Sequence, residues 1–304
     1  RINHIINKAE HFKSGFVAVV GRPNVGKSTM INALIGDKIA IVSDKAQTTR
    51  NRIICVYTDE EKQIVFMDTP GVHKPKHKLG EFMVDAAIES LKETEAVLFV
   101  VAGNEKRGPG DNFIIEQLKR VKVPVFLVVN KIDTLQKEQV LEAIVSYQDA
   151  YPFAGVIPIS AKNKENLSEL LNVLGEHLPE GPQYFPEDMI TDQPERLIIS
   201  DIVREKILLS TRDEIPHAIA VDVDEMKTRD DGTTYIRATI YCERDSQKGI
   251  IIGNKGALLR KIGAEARMDI QKLLATKVYL DLWVKVKKDW RNKSGMLSEL
   301  GYKK

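Results

Sequence analysis

Cysteine is almost missing from this chain: among 304 residues only Cys55 and Cys242 occur. Two thiols so far apart in sequence build neither a disulfide framework nor a zinc site. They fit a reducing compartment, with the cytoplasm as the default. Long apolar runs are missing too. No stretch approaches the roughly 20 residues that span a bilayer, so no transmembrane helix is expected. The opening segment, RINHIINKAEHFKSG, holds no apolar core of the signal-peptide kind. It starts on Arg1 rather than Met, and a trimmed start is expected. Internal repeats and low-complexity tracts are absent as well, so the length points to two ordinary domains. A large net charge is also lacking, but the formal +2 hides an asymmetry. Residues 1–193 carry 23 Lys/Arg against 26 Asp/Glu, and residues 194–304 carry 22 against 17. Residues 248–304 hold 14 basic and 5 acidic side chains, a balance that suits a phosphate backbone, an anionic membrane or a solvated surface.

What is present is a strand–helix alternation. Short β-branched runs at 16–21, 52–58, 63–68, 96–101, 123–130 and 155–160 read as strands buried on both faces. Amphipathic stretches near 27–35, 80–93, 110–121, 136–149 and 165–177 read as the helices between them. The runs at 52–58 and 63–68, joined by a few residues, predict a hairpin and one antiparallel edge strand. Residues 1–178 are therefore expected to form an α/β domain with a mainly parallel, doubly wound sheet. Residues 179–194, PEGPQYFPEDMITDQP, contain four prolines and read as a semi-rigid linker. Residues 195–304 change to a smaller α+β order. A helix over 195–210 precedes strands at 217–227 and 234–243, glycine-interrupted helix over 247–275, and a last strand at 277–287.

Chemistry sits at the strand ends. Gly21, Arg22, Pro23, Asn24, Val25, Gly26, Lys27, Ser28 and Thr29 spell GxxxxGKS after a strand and before a helix. The glycines let backbone N–H groups turn toward phosphate oxygens, and the helix adds its N-terminal dipole. Lys27 is expected on the β- and γ-phosphates and Ser28 on Mg²⁺. Asp68, Thr69, Pro70 and Gly71 close the third run; Asp68 is expected to hold Mg²⁺ through water and Gly71 to touch the γ-phosphate. Asn130, Lys131, Ile132 and Asp133 end a later strand. A carboxylate at Asp133 can accept from N1–H and the 2-amino group of guanine, neither of which adenine offers. Ser160, Ala161 and Lys162 end the last strand, with the Ala161 N–H expected on guanine O6. Four such motifs at consecutive strand ends define a guanine-nucleotide pocket. A P-loop kinase has no use for NKID.

Between these motifs lies Ala46-Gln47-Thr48-Thr49-Arg50, where a threonine can complete the Mg²⁺ shell in the triphosphate state. After Gly71 comes Val72, where Ras-type enzymes place a water-orienting glutamine; valine cannot hydrogen-bond a water. Slow intrinsic hydrolysis is expected. Residues 73–80, HKPKHKLG, read as a solvated switch loop. In the C-terminal part, Gly253-Asn254-Lys255-Gly256 lies between helical stretches, in an order that resembles a KH domain of the type II topology. Such a loop admits close backbone approach, Lys255 can pair with phosphate, and about four unstacked nucleotides are gripped. Ile250, Ile251 and Ile252 are expected to floor a base groove. Arg260, Lys261, Lys285, Lys287, Lys288 and Arg291 are candidate phosphate contacts.

Taken together, GRPNVGKS, AQTTR, DTPGVH, NKID, SAK, GPQYFPED, PERLIISDIVREKIL and IIIGNKG resemble the Era-type ribosome-associated GTPases. The resemblance covers nearly the whole chain. It implies a GTP-hydrolysing switch with Mg²⁺ that binds single-stranded small-subunit rRNA near its 3′ end and assists subunit assembly. It also implies a loose peripheral association with the inner membrane, in a monomer. By the same resemblance Thr49 is preferred over Thr48 as the Mg²⁺ threonine, and Thr49, Lys27, Gly71 and Asn24 form the catalytic set. Asn24 is a candidate K⁺ ligand standing where an arginine finger would, or else simply caps its loop. A membrane-linked signalling GTPase would also explain the basic half through anionic lipid, yet it leaves GNKG without a role.

Overall fold

The computed structural model describes residues 11–36, 50, 52–71, 78–212, 215–300 and 302. The chain divides into two compact units whose main boundary in sequence falls between Asp192 and Gln193. The first holds a six-stranded sheet in the order β2-β3-β1-β4-β5-β6. Its strands are β1 (Lys13–Val20), β2 (Ile53–Thr58), β3 (Lys62–Asp68), β4 (Ala96–Ala102), β5 (Val125–Asn130) and β6 (Gly155–Pro158). All neighbours are parallel except the β2–β3 hairpin, so β2 is the antiparallel edge strand that the short DEEK connection predicts. The helices are α1 (Lys27–Ile35), α2 (Lys78–Glu89), α3 (Pro109–Leu118), α4 (Lys137–Gln148) and α5 (Leu167–His177).

Because successive strand side chains alternate faces, each β-branched run feeds two cores. Val17, Val19, Leu98, Val100, Phe126 and Val128 pack with Met30 of α1 and Leu170 and Leu174 of α5. Ala18, Val20, Val97, Phe99, Leu127 and Val129 pack on the other face with Ala87, Ile114, Leu118 and Tyr147 of α2, α3 and α4. Strands largely buried on both faces hold the carboxyl ends of β1, β3, β4, β5 and β6 along one edge. The sheet order reverses between β1 and β4, and open α/β sheets bind ligands in such a crevice.

Residues 179–192, expected as part of a linker, are bonded to the first unit instead. Ser14 N donates to Pro179 O, Gly181 N to Phe12 O and Val56 N to Ile190 O. Thr191 bridges antiparallel to Cys55, and its hydroxyl donates to Ile54 O at 2.6 Å. The prolines suit this path because Pro179 and Pro182 only need to accept, and Pro182 O accepts from the Ser14 hydroxyl. Fully buried Gln63 latches the strap: its amide donates to Thr58 Oγ1 and Phe185 O, both at 2.9 Å, and its Oε1 accepts from Tyr184 N and Phe185 N at 2.8 and 3.0 Å. Gln63→Leu keeps the volume but orphans these partners. It should destabilise the first unit by about 3 kcal/mol, with hydrogen exchange accelerating at the Tyr184 and Phe185 amides. Unchanged exchange there would show that the latch is not what holds the strap. Both tryptophans, Trp283 and Trp290, lie in the second unit, so circular dichroism rather than tryptophan emission must follow the transition.

The second unit contains α6 (Glu195–Ser210), the helical turn α7 (Ile215–Ala218), β7 (Ala220–Thr228), β8 (Thr234–Cys242), α8 (Asp245–Ile252), α9 (Ala257–Leu274), β9 (Val278–Val286) and α10 (Ser294–Glu299). Its sheet runs β7-β8-β9, with β7 antiparallel and β9 parallel to β8. One face carries Ile236, Ala238, Ile240, Val278 and Val284 against Ile199 and Val203 of α6 and Ile262 and Ile270 of α9. The strand expected from 217 starts at Ala220, because Pro216 suits the first turn of α7. The indole of fully buried Trp290 then takes the Ala218 carbonyl at 2.9 Å. The order helix, strand, strand, helix, helix, strand is the expected one, and α10 follows it.

Candidate functional site

GRPNVGKS forms the turn from β1 into α1 at the carboxyl edge of the sheet. Gly21 lies against β4, where a Cβ would meet Val100 O at 2.4 Å. Asn24 (φ 68°) and Gly26 (φ 97°) are left-handed, flanking buried Val25 and bending the loop over the helix start. Lys27, the first residue of α1, is buried, and its ammonium donates to Gly21 O at 3.2 Å and Arg22 O at 2.9 Å. Burial pulls its pKa down to about 8, while the nearby Asp68 carboxylate opposes that shift. A cation so desolvated is suited to an anion arriving at the helix N-terminus.

Beside it, the Ser28 hydroxyl donates to Asp68 Oδ2 at 2.8 Å, and Asp68 is fully buried at the end of β3. Thr69 anchors the turn that follows, its hydroxyl donating to Val19 O at 2.6 Å. Pro70 and Gly71 are buried, and Gly71 abuts the P-loop so closely that a Cβ would lie 2.8 Å from the Pro23 backbone. Thr29 is half-buried in the first turn of α1. Thr49, Val72 and residues 73–77 lie outside the described residues.

Asn130, fully buried at the end of β5, joins three segments. Its amide donates to Val25 O at 2.9 Å, and its Oδ1 accepts from Lys131 N at 2.8 Å and Ala161 N at 3.0 Å. The Ala161 N–H, expected on guanine O6, donates to Asn130 Oδ1 in this structure. Asp133 lies exposed in the turn Ile132–Thr134, and its Oδ1 accepts from the Ser160 hydroxyl at 2.7 Å. That bond fixes the carboxylate and leaves lone pairs for two further donors. Lys131 is left-handed at φ 67°, and Lys162 is exposed beside Ala161.

Motif reading gave Arg22 to the nucleotide, but its side chain points elsewhere. Its Nε donates to fully buried Asp111 Oδ1 and its Nη2 to Glu105 Oε2, both at 2.9 Å. Burial alone would lower the guanidinium pKa; Asp111 and Glu105 more than reverse that and hold it raised. Glu105 also approaches Lys131 Nζ at 3.6 Å, so it stands between the phosphate loop and the base-reading turn. Neither Glu105 nor Asp111 belongs to a spaced motif, and no signal in the sequence singles them out.

In the second unit, GNKG is a tight turn between α8 and α9. Gly253 (φ 72°), Lys255 (φ 48°) and Gly256 (φ 77°) are left-handed, and Gly256 has open space where a Cβ would stand. Asn254 and Lys255 are exposed, and Arg260 braces the turn by donating to Lys255 O at 3.0 Å. Lys261 is exposed and pairs loosely with Glu265 at 3.9 Å. The expected groove floor is corrected in part: Ile251 is fully buried in the core and Ile252 packs against it, leaving only Ile250 exposed. In a helix, consecutive residues point about a third of a turn apart, so three isoleucines in a row cannot share one surface.

A family model described as 50S ribosome-binding GTPase matches residues 16–131, and one described as KH domain matches residues 214–291. Among solved structures, a tyrosine-to-alanine variant of Aquifex aeolicus Era bound to GDP·AlF4⁻ is 43% identical. The match covers 96% of this chain and 99% of that one, with a TM-score of 0.92. Era in complex with MgGDPNP and nucleotides 1506–1542 of 16S ribosomal RNA is also 43% identical over the same shares, with a TM-score of 0.93.

Proposed function

Since the chain belongs to the Era family of GTPases, we propose that it binds and hydrolyses GTP and uses that cycle to control a grip on small-subunit ribosomal RNA. One observation carries the reading. The GRPNVGKS, DTPG, NKID and SAK segments at one edge of a sheet and a left-handed GNKG turn between two helices stand on one chain. The RNA on this reading is single-stranded and near the 3′ end of the small-subunit rRNA, and the grip assists assembly of the subunit; the related Era complex holds nucleotides 1506–1542 of 16S ribosomal RNA. A cytoplasmic monomer is the setting, in keeping with two buried free thiols, and contact with the membrane is peripheral. Among the described residues no helix is long and apolar enough to cross a membrane.

Within the pocket, Lys27 is placed to turn from the Gly21 and Arg22 carbonyls onto the phosphates, while Asp133 reads the base. Ser28 Oγ and buried Asp68 are hard oxygen donors already drawn together, which fits Mg²⁺. Ser28 would hold it directly and Asp68 through water, with Thr49 as the third residue. Bound there, Mg²⁺ neutralises charge on the phosphate oxygens. Val72 supplies no hydrogen bond to water, and exposed, left-handed Asn24 would hold a K⁺ that would supply positive charge where a cationic finger is missing. Replacing K⁺ by Na⁺ at constant Mg²⁺ should slow hydrolysis about tenfold or more; equal rates would remove the ion from the scheme.

The RNA reading is tested by Asn254→Asp with Lys255→Asp, which puts negative charge where phosphate must approach. Affinity for a 3′-terminal 16S rRNA oligonucleotide should fall on the order of a hundredfold. GTP affinity should stay within about twofold, because the two units have separate cores. Wild-type RNA affinity in this variant would mean that the GNKG turn is not the clamp.

A further inference from the structure

The sheet of the second unit packs one face on α6 and α9 and turns the other outward. We propose that this outward face, along β9, is a second stacking surface for single-stranded RNA, distinct from the GNKG turn. The inference rests on the RNA reading above and extends the footprint it implies.

Along β9, Val278, Leu280, Leu282 and Val284 belong to the core, so Tyr279, Asp281, Trp283 and Lys285 take the opposite face. Tyr279 and Trp283 are 52% and 53% exposed, unusual for the aromatic side chains of a strand. Four residues apart on a strand, they stand about 13 Å from each other, so each can receive a different base. Tyr235, opposite Tyr279 on β8, lies 5.9 Å from it with the rings 14° from parallel. The Arg229 guanidinium is 5.0 and 4.9 Å from the two ring centroids, and the Lys227 ammonium is 5.3 Å from that of Tyr235.

Rings flanked by cations match a ligand that offers both π faces and phosphates. Asp281 does not oppose this, because its Oδ2 is engaged by the Tyr235 hydroxyl at 3.0 Å and the Trp283 indole at 3.1 Å. It orients both rings. Glu225 is likewise held by Lys227 at 2.8 Å. Exposed Lys277 and Lys285 stand at the two ends of the row, where a strand passing over the rings would bring its phosphates. A protein partner would call for a continuous apolar patch, whereas here the rings are separated by a charged row.

The chain carries its own reporter. Trp290 is fully buried, so Trp283 is the one tryptophan a stacking base can reach. The full chain would be titrated with end-labelled oligouridylate, reading tryptophan emission and anisotropy together. Binding should quench Trp283. Tyr279→Ala combined with Trp283→Ala should weaken binding about tenfold or more, while Trp283→Phe, which keeps a ring, stays within about twofold. RNA binding with unchanged emission and wild-type affinity in the double variant would overturn the proposal and leave the GNKG clamp standing. Absence of binding by the wild type to both oligouridylate and the 3′-terminal 16S rRNA oligonucleotide would instead overturn the RNA reading, and this one with it. Quenching by phosphatidylglycerol vesicles but not by RNA would assign the face to a membrane.

Discussion

Asp133→Asn should lower GTP affinity on the order of a thousandfold or more and create affinity for xanthosine triphosphate. The wild-type carboxylate is exposed and held in place by the Ser160 hydroxyl at 2.7 Å. Guanine presents N1–H and a 2-amino group, two donors that need two acceptors. An asparagine amide replaces one acceptor with a donor, which leaves the 2-amino group facing a like group without a partner. Xanthine carries oxygen at that position and restores the match. Calorimetric titration of both nucleotides against both proteins measures the exchange directly. Retained GTP affinity with no gain for the xanthine nucleotide would remove Asp133 as the base reader.

Gly26→Ala should abolish detectable nucleotide binding and destabilise the first unit by about 3 kcal/mol. Two causes add. The backbone is at φ 97°, which an L side chain rarely adopts, and the new Cβ would lie 2.2 Å from Asn130 Nδ2. The side chain of Asn130 cannot retreat, because it is bonded to Val25 O, Lys131 N and Ala161 N. Thermal melting with and without added GDP separates lost stability from lost binding. Adding Asn130→Ala should relieve the clash and recover part of the melting temperature, but not the binding. Full nucleotide affinity in Gly26→Ala would show that the loop has more room than its geometry gives.

Much of this was legible in the chain because the relevant signals are local. β-branched runs announce strands, and a glycine-rich turn between strand and helix followed by NKID at a strand end announces a P-loop GTPase. The hairpin followed from its short connection, and the KH element order from periodicity and glycine placement. What escaped depends on which distant residues meet. The prolines of 179–192 signal stiffness but not the donors of Gln63 and Val56 that bind the strap. Arg22 sits in a phosphate motif, yet a buried carboxylate 89 residues away claims its side chain. Ile251 and Ile250 look alike in the sequence, and only the pitch of α8 separates core from surface.

The wiring of Asn130 bears on how such a pocket can change over evolutionary time. Its single amide ties the GRPNVGKS loop to both the NKID and SAK segments, so any substitution there disturbs all three at once. Position 130 therefore has no graded alternatives. Asp133, exposed and tied to the rest by one hydroxyl, can be exchanged without unthreading the loops. A lineage drifting toward another purine would have to travel through residue 133, with residue 130 held by its three bonds and residue 26 held to glycine for as long as Asn130 stands against it.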